Sequence, residues 1–115
     1  VMSEEEIQSA ILFYLWSCGS PAYAVPNHGK FNPKKNSYDR VNHEQFVPGV
    51  PDLVVPLRDG RVVFFEVKSA KGIVSDHQEK FHDKLRRLGH DIAVVRSVAE
   101  VRQYLSEWGV SMEGR

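Results

Sequence analysis

Gly49-Val50-Pro51-Asp52-Leu53-Val54-Val55-Pro56-Leu57-Arg58-Asp59-Gly60-Arg61-Val62-Val63-Phe64-Phe65-Glu66-Val67-Lys68 decides how this chain is read. Asp52 to Leu57 and Arg61 to Lys68 are apolar runs rich in Val and Phe, and Arg58-Asp59-Gly60 between them is a tight-turn signal. The two runs are therefore expected to pair as an antiparallel hairpin. Side chains alternate faces along a strand, so Glu66 and Lys68 point the same way while Val67 points into the opposite layer. The hairpin returns Asp52, fourteen residues before Glu66, to the end of the strand that holds Glu66 and Lys68. Three charged groups then meet at one edge of a sheet. Burying an unpaired carboxylate or ammonium is costly, so such a cluster needs a bound ion, mutual pairing or a ligand. Two carboxylates beside a lysine suit a hard divalent cation such as Mg²⁺, which prefers oxygen ligands, keeps waters and takes one or two carboxylates. The lysine can hold or deprotonate a nucleophilic water, or offset charge on a phosphate. Alone, Glu-x-Lys is a weak motif that reads more readily as an exposed ion pair worth less than about 1 kcal/mol, and Asp52 after Pro51 reads as a turn residue. The spacing and the intervening turn give the pattern its weight.

Outward from the hairpin the elements follow in turn. Ser3-Glu4-Glu5-Glu6, followed by Ile7, Ala10, Ile11, Tyr14 and Leu15, is an N-cap, a capping box and an apolar helical stripe ending before Gly19-Ser20-Pro21. Ala22 to Val25 reads as a short strand. Residues 26–48 are largely polar with neither helical nor strand period, and a loop this long in a small domain is usually functional or mobile. Ser75-Asp76-His77-Gln78 is again a capping box, opening a helix whose Phe81, Leu85 and Leu88 are expected to form its inward stripe, with Gly89 past its end. Asp91 to Arg96 reads as a buried strand, and Ser97 caps a last helix carrying Val101, Tyr104, Leu105 and Trp108. The order α, loop, β, β, α, β, α predicts an α/β fold, a small mixed sheet flanked by helices. We expect one domain over residues 2–115, with Val1 a residue added ahead of the native start at Met2.

Composition narrows the functions. With 115 residues, 42% of them hydrophobic, the chain supports one core and is too short for two ordinary domains. No apolar stretch reaches the roughly 20 residues that span a bilayer, and the start lacks the regions of a signal peptide, so a soluble, cytoplasmic protein is expected. Cys18 is the single cysteine, which excludes an intrachain disulfide and a cysteine-rich zinc site. The formal net charge of +0 argues against coating nucleic acid by bulk electrostatics and leaves local patches, such as Lys30, Lys34, Lys35 and Arg40 against Asp39. His43, His77, His82 and His90 show no ligand spacing that requires zinc.

Asp52 with Glu66-Val67-Lys68 resembles the signature of the PD-(D/E)xK nuclease superfamily. With Gly49-Val50-Pro51 before it and Ser75 to Gln78 after it, the chain resembles the VRR-NUC branch, and most closely the stand-alone viral and bacterial members. The similarity runs from Ser3-Glu4-Glu5-Glu6-Ile7-Gln8 through Asn27-His28-Gly29 to the last helix. It implies a restriction-endonuclease-like core and a Mg²⁺- or Mn²⁺-dependent DNA endonuclease. Asp52, Glu66 and the backbone carbonyl of Val67 are then metal ligands, Lys68 positions the water, and Gln78 steadies the site. A glutamate on the first helix joins the metal in that family. Glu6 has a simpler role as capping partner of Ser3, and Glu4 lies in line with Ile7 and Ile11, so Glu4 is favoured, with Glu5 and Glu6 left open. Gln78 can equally be a capping-box residue, and His28 a solvated loop residue.

The same resemblance makes Asn27, His28, Lys30, Lys34, Lys35 and Lys71 candidate DNA contacts. It implies action on branched or flapped DNA, including Holliday junctions cut by a homodimer, in a bacterial or phage-infected cell. Two other readings stand beside it: a non-catalytic DNA-binding or assembly module with this fold, and a nuclease acting on RNA or on a specific DNA sequence. The intact Asp52, Glu66 and Lys68 set speaks against the first. The lack of an added target-recognition segment speaks against sequence specificity.

Overall fold

The structure, a computed structural model, describes residues 1–26, 31–32, 37–38 and 47–112, with the backbone alone at 31–32 and 37–38. Helix α1 (Glu4–Ser17) starts where Ser3 caps it. Ser3 Oγ accepts from the Glu6 N–H at 3.1 Å and Glu6 Oε1 accepts from the Ser3 N–H at 2.8 Å. Two backbone donors that the first turn cannot satisfy internally are thereby paired. Ile7, Ile11 and Leu15 recur on one face of α1 and are buried.

The strands β1 (Tyr23–Ala24), β2 (Phe31–Asn32), β3 (Ser37–Tyr38), β4 (Leu53–Pro56), β5 (Val62–Val67) and β6 (Ile92–Val95) form two sheets. The main one has the order β1-β4-β5-β6, antiparallel across its first two pairs and parallel between β5 and β6. The expected hairpin is present as β4 and β5. Leu57 N–H donates to the Arg61 carbonyl at 2.8 Å, and Gly60 takes φ +92°, a left-handed conformation that favours glycine. β2 and β3 pair antiparallel through Phe31↔Tyr38 and Asn32↔Ser37. This ribbon lies inside the stretch expected to be loop throughout, because strands of two residues are too short to display an alternation.

Helix α2 (Asp76–Arg87) connects β5 to β6, and α3 (Val98–Glu107) follows β6. The pleat assigns the layers. Val63, Phe65 and Val67 of β5 share a face with Leu53, Val55 and Leu57, and all six are buried in one cluster with Ile7, Ile11, Leu15, Val101 and Leu105 of α1 and α3. Phe65 stacks on Trp108 with ring centroids 5.5 Å apart. Each fully buried side chain of this size contributes roughly 1.5–3 kcal/mol of transfer free energy. The opposite face of β5, which carries Glu66, is covered by α2.

The inward face of α2 differs from expectation. Its buried residues are Gln78 and His82, whereas Leu88 is 76% exposed. The Phe81, Leu85 and Leu88 stripe therefore lies to one side of the contact, because Glu66 beneath the helix requires polar partners. Among the described residues no helix is long and apolar enough to cross a membrane.

Candidate active site

The ladder between β4 and β5 sets the site. Leu53 pairs with Phe65, so the register continued by one residue puts Asp52 opposite Glu66. Val25 N–H donates to the Asp52 carbonyl at 2.8 Å and fixes Asp52 from its other side. The Asp52 side chain terminates the ladder: its Oδ2 accepts from the Val67 N–H at 2.7 Å. A strand residue presents its N–H and C=O toward the same neighbour, so the Val67 carbonyl also faces the Asp52 side.

The Asp52 and Glu66 carboxyls face one another and share a hydrogen bond. Burial, and then the Glu66 carboxyl, push Asp52 up to about 7 from its ordinary value of 3.8. Burial likewise raises Glu66, against the opposing pull of the Asp52 hydrogen bond and the Lys68 charge. Lys68 also lowers Asp52, so its ammonium acts on both carboxyls. Two facing acids raised by burial, Asp52 further by Glu66, form a site that a divalent cation would relieve. The donor set thus fits a hard metal through Asp52, Glu66 and the Val67 carbonyl.

Glu66 is 1% exposed and is held from α2. Gln78 Nε2 donates to Glu66 Oε2 at 2.9 Å, and His82 Nε2 lies 3.1 Å from Glu66 Oε1. Gln78 also completes the Ser75 capping box, accepting from the Ser75 N–H through Oε1 at 2.9 Å. The two roles weighed for Gln78 are therefore compatible: one end of its amide closes the helix and the other reaches the carboxylate. Burial lowers the His82 pKa. The imidazole is then neutral at neutral pH, and its Nε2–H tautomer can donate to Glu66 Oε1.

Glu4 is exposed at the start of α1, and its charge acts on Glu66. A cleft between α1 and β1 is lined by Glu4, Glu5, Gln8, Val25 and Asp52. Glu6 is engaged in the cap. Among the described residues no three His, Cys, Asp or Glu side chains converge tightly enough to cage a metal. The buried Glu66 and half-buried Asp52 are thus the closest-set carboxyls of the candidate site, and Glu4 stands at its margin. Lys71 is exposed and borders a depression with Glu4 and Glu6. Asn27, His28, Lys30, Lys34 and Lys35 lie outside the described residues. A second depression, lined by Cys18, Ser20, Leu57, Arg58 and Met112 among others, lies at the far end of the sheet, away from the carboxyl pair.

Backbone positions missed from sequence complete the scaffold. Gly49 has φ +88°, and a Cβ there would meet the His77 carbonyl oxygen at 2.2 Å, so only glycine lets the Gly49-Val50-Pro51 segment press against the first turn of α2. At Gly72 a Cβ would fall 3.2 Å from Glu4 Oε2 and 3.3 Å from the Lys68 stem, which brings the loop after β5 against both side chains. Arg96 ties that loop down by donating from Nη1 to the carbonyls of Ser69 and Gly72. His82 carried no ligand spacing, but a histidine one turn after Gln78 would have shown that they share a helix face.

Comparison with known proteins agrees with this fold. The family model described as the VRR-NUC domain matches residues 30–99. A solved structure described as a VRR_NUC domain superposes with a TM-score of 0.67 at 24% identity, covering 93% of this chain and 97% of that chain. Another, described as a VRR_NUC domain protein, gives a TM-score of 0.62 at 16% identity over 91% of this chain and 89% of that one. A search of the curated proteins finds no match. The matched span covers well over half of the chain and includes Asp52, Glu66, Lys68 and Gln78, so this chain belongs to the VRR-NUC domain family and has its nuclease-type fold.

Proposed function

We propose that this chain is a Mg²⁺- or Mn²⁺-dependent DNA endonuclease that hydrolyses phosphodiester bonds. The observation that carries the reading is the facing, hydrogen-bonded Asp52 and Glu66 pair, both raised in pKa and both within the field of Lys68. Asp52, Glu66 and the Val67 carbonyl would hold the cation, with Glu4 as the further carboxylate. A divalent cation bound there supplies Lewis acidity, water activation and neutralisation of charge developing on the phosphate. Lys68 orients the attacking water and offsets charge on the scissile group. Gln78 keeps the Glu66 carboxylate turned toward Asp52. Asn27, His28, Lys30, Lys34, Lys35 and Lys71 are the proposed contacts to the DNA backbone.

The formal charge of +0 favours selection of DNA shape over strong indiscriminate binding. We therefore place branched and flapped DNA first among substrates. A homodimer would put two sites in symmetric register on a four-way junction. Residues 2–115 act as one nuclease domain in this reading, in the cytoplasm of a bacterial or phage-infected cell.

The test is a denaturing gel of products from a four-way junction, a 5′ flap and a linear duplex, each with Mg²⁺, Mn²⁺ or EDTA. Metal-dependent cutting by the wild type and none by Lys68→Ala supports the nuclease, and symmetric nicks in the junction support the dimer. Binding without cutting of any substrate would point to a non-catalytic module instead.

A further inference from the structure

His82 is a buried polar side chain with one evident task. It is 2% exposed, and α2 offers it no capping role of the kind that Gln78 has. Its hydrogen-bond partner among the described residues is Glu66 Oε1, at 3.1 Å. Placing an imidazole on the inward face of a helix costs free energy unless it finds a partner, and an apolar residue there would pack without that cost. The position therefore makes most sense through Glu66.

The geometry around Glu66 says what the bond does. Gln78 and His82 sit one helical turn apart on α2 and take one carboxylate oxygen each, Oε2 and Oε1. The terminal torsion of a glutamate is broad and two-fold, so a single donor leaves the carboxylate plane free to swing. Two donors from one rigid helix fix that plane. Each carboxylate oxygen has two acceptor sites, so one on each remains for a further partner. No buried side-chain nitrogen or oxygen among the described residues lacks a partner, so the clamp leaves nothing unsatisfied on the α2 side.

We propose that His82 is a positioning residue: together with Gln78 it holds the Glu66 carboxylate in the one orientation that, with Asp52, receives a divalent cation. This rests on the metal-dependent reading above. It assigns α2 a function beyond packing, because the helix delivers both donors at once. Loss of an outer partner of a metal ligand typically costs roughly 10–100-fold in metal affinity, and His82→Leu is expected in that range.

The experiment is calorimetric titration of Mn²⁺ into the metal-free wild type, His82→Leu and His82→Gln, with circular dichroism of each to verify folding. The amide of His82→Gln restores an N–H near the lost Nε2 position, so this variant should bind within a few-fold of wild type while His82→Leu binds roughly 10–100-fold more weakly. DNA affinity in EDTA should be the same for all three, and saturating Mn²⁺ should restore most of the cleavage rate of His82→Leu. Should His82→Leu not fold, His82→Met, unbranched and apolar, takes its place. Equal Mn²⁺ affinity in wild type and the apolar variant would overturn the inference, as would equal weakening in His82→Gln. Absence of Mn²⁺ binding by the wild type would instead overturn the proposed function beneath it.

Discussion

Asp52→Asn should stabilise the metal-free protein at pH 8 while ending its metal-dependent activity. The side chain is held by a hydrogen bond from the Val67 N–H and another shared with Glu66. An amide reproduces both, accepting through Oδ1 and donating through Nδ2, so it mimics the protonated acid. The sign follows from the raised pKa. Between the ordinary value of 3.8 and about 7 the native state keeps a proton that the unfolded chain releases, so stability falls as pH rises through that window. The penalty is absent below the lower value and complete above the upper one, and Glu66, raised in the same direction, adds to it. A displacement from 3.8 to about 7 corresponds at about 1.4 kcal/mol per unit to a penalty of about 4 kcal/mol. Asp52 is partly solvated and shares the repulsion with Glu66, so we expect about half, or about 2 kcal/mol, to be recovered by the amide. For a chain of this size that is a rise of about 8 °C in melting temperature. Thermal melts in EDTA at pH 4 and pH 8.5 provide the assay: the two proteins should melt close together at pH 4 and diverge at pH 8.5. Mn²⁺ at about 100 times its Kd should then add about 2.7 kcal/mol to the wild type and far less to the variant. A melting difference that is the same at both pH values, or a variant less stable at pH 8.5, would refute the account of the pair.

Other outcomes follow from single contacts. Gly49→Ala should lose at least about 2 kcal/mol in chemical denaturation, because φ is +88° and the added Cβ meets the His77 carbonyl oxygen at 2.2 Å. Gln78→Ala removes a cap and a buried donor together, so it should cost about 2 kcal/mol of stability and weaken Mn²⁺ binding in calorimetry. Gly72→Ala has no backbone penalty but crowds Glu4 and the Lys68 stem, so its melting temperature should stay near wild type while kcat for cleavage falls. Lys68→Ala should fold normally and leave no measurable cutting on a denaturing gel.

The elements that sequence made legible are those whose local chemistry is self-contained. The Ser3 and Ser75 capping boxes form as read, and the β4–β5 hairpin takes the register that joins Asp52 to Glu66. At α3 Ser97 caps as read, its Oγ accepting from the Glu100 N–H, while Glu100 Oε1 accepts from the Arg96 N–H. What escaped depends on tertiary contact. The inward face of α2 follows the buried carboxylate it covers and not its own leucines, so Leu88 is exposed and His82 enters. Gly49, Gly72 and Arg96 act through approaches between segments distant in sequence, which no local period reveals.

The account turns on whether Asp52 and Glu66 together bind a metal. Crystals soaked in Mn²⁺ and measured for anomalous scattering at the manganese edge test this directly. The account predicts a strong peak within about 2.5 Å of both carboxylates and of the Val67 carbonyl oxygen. Manganese bound elsewhere, with this site bare in a protein that cuts DNA when given Mn²⁺, would contradict it.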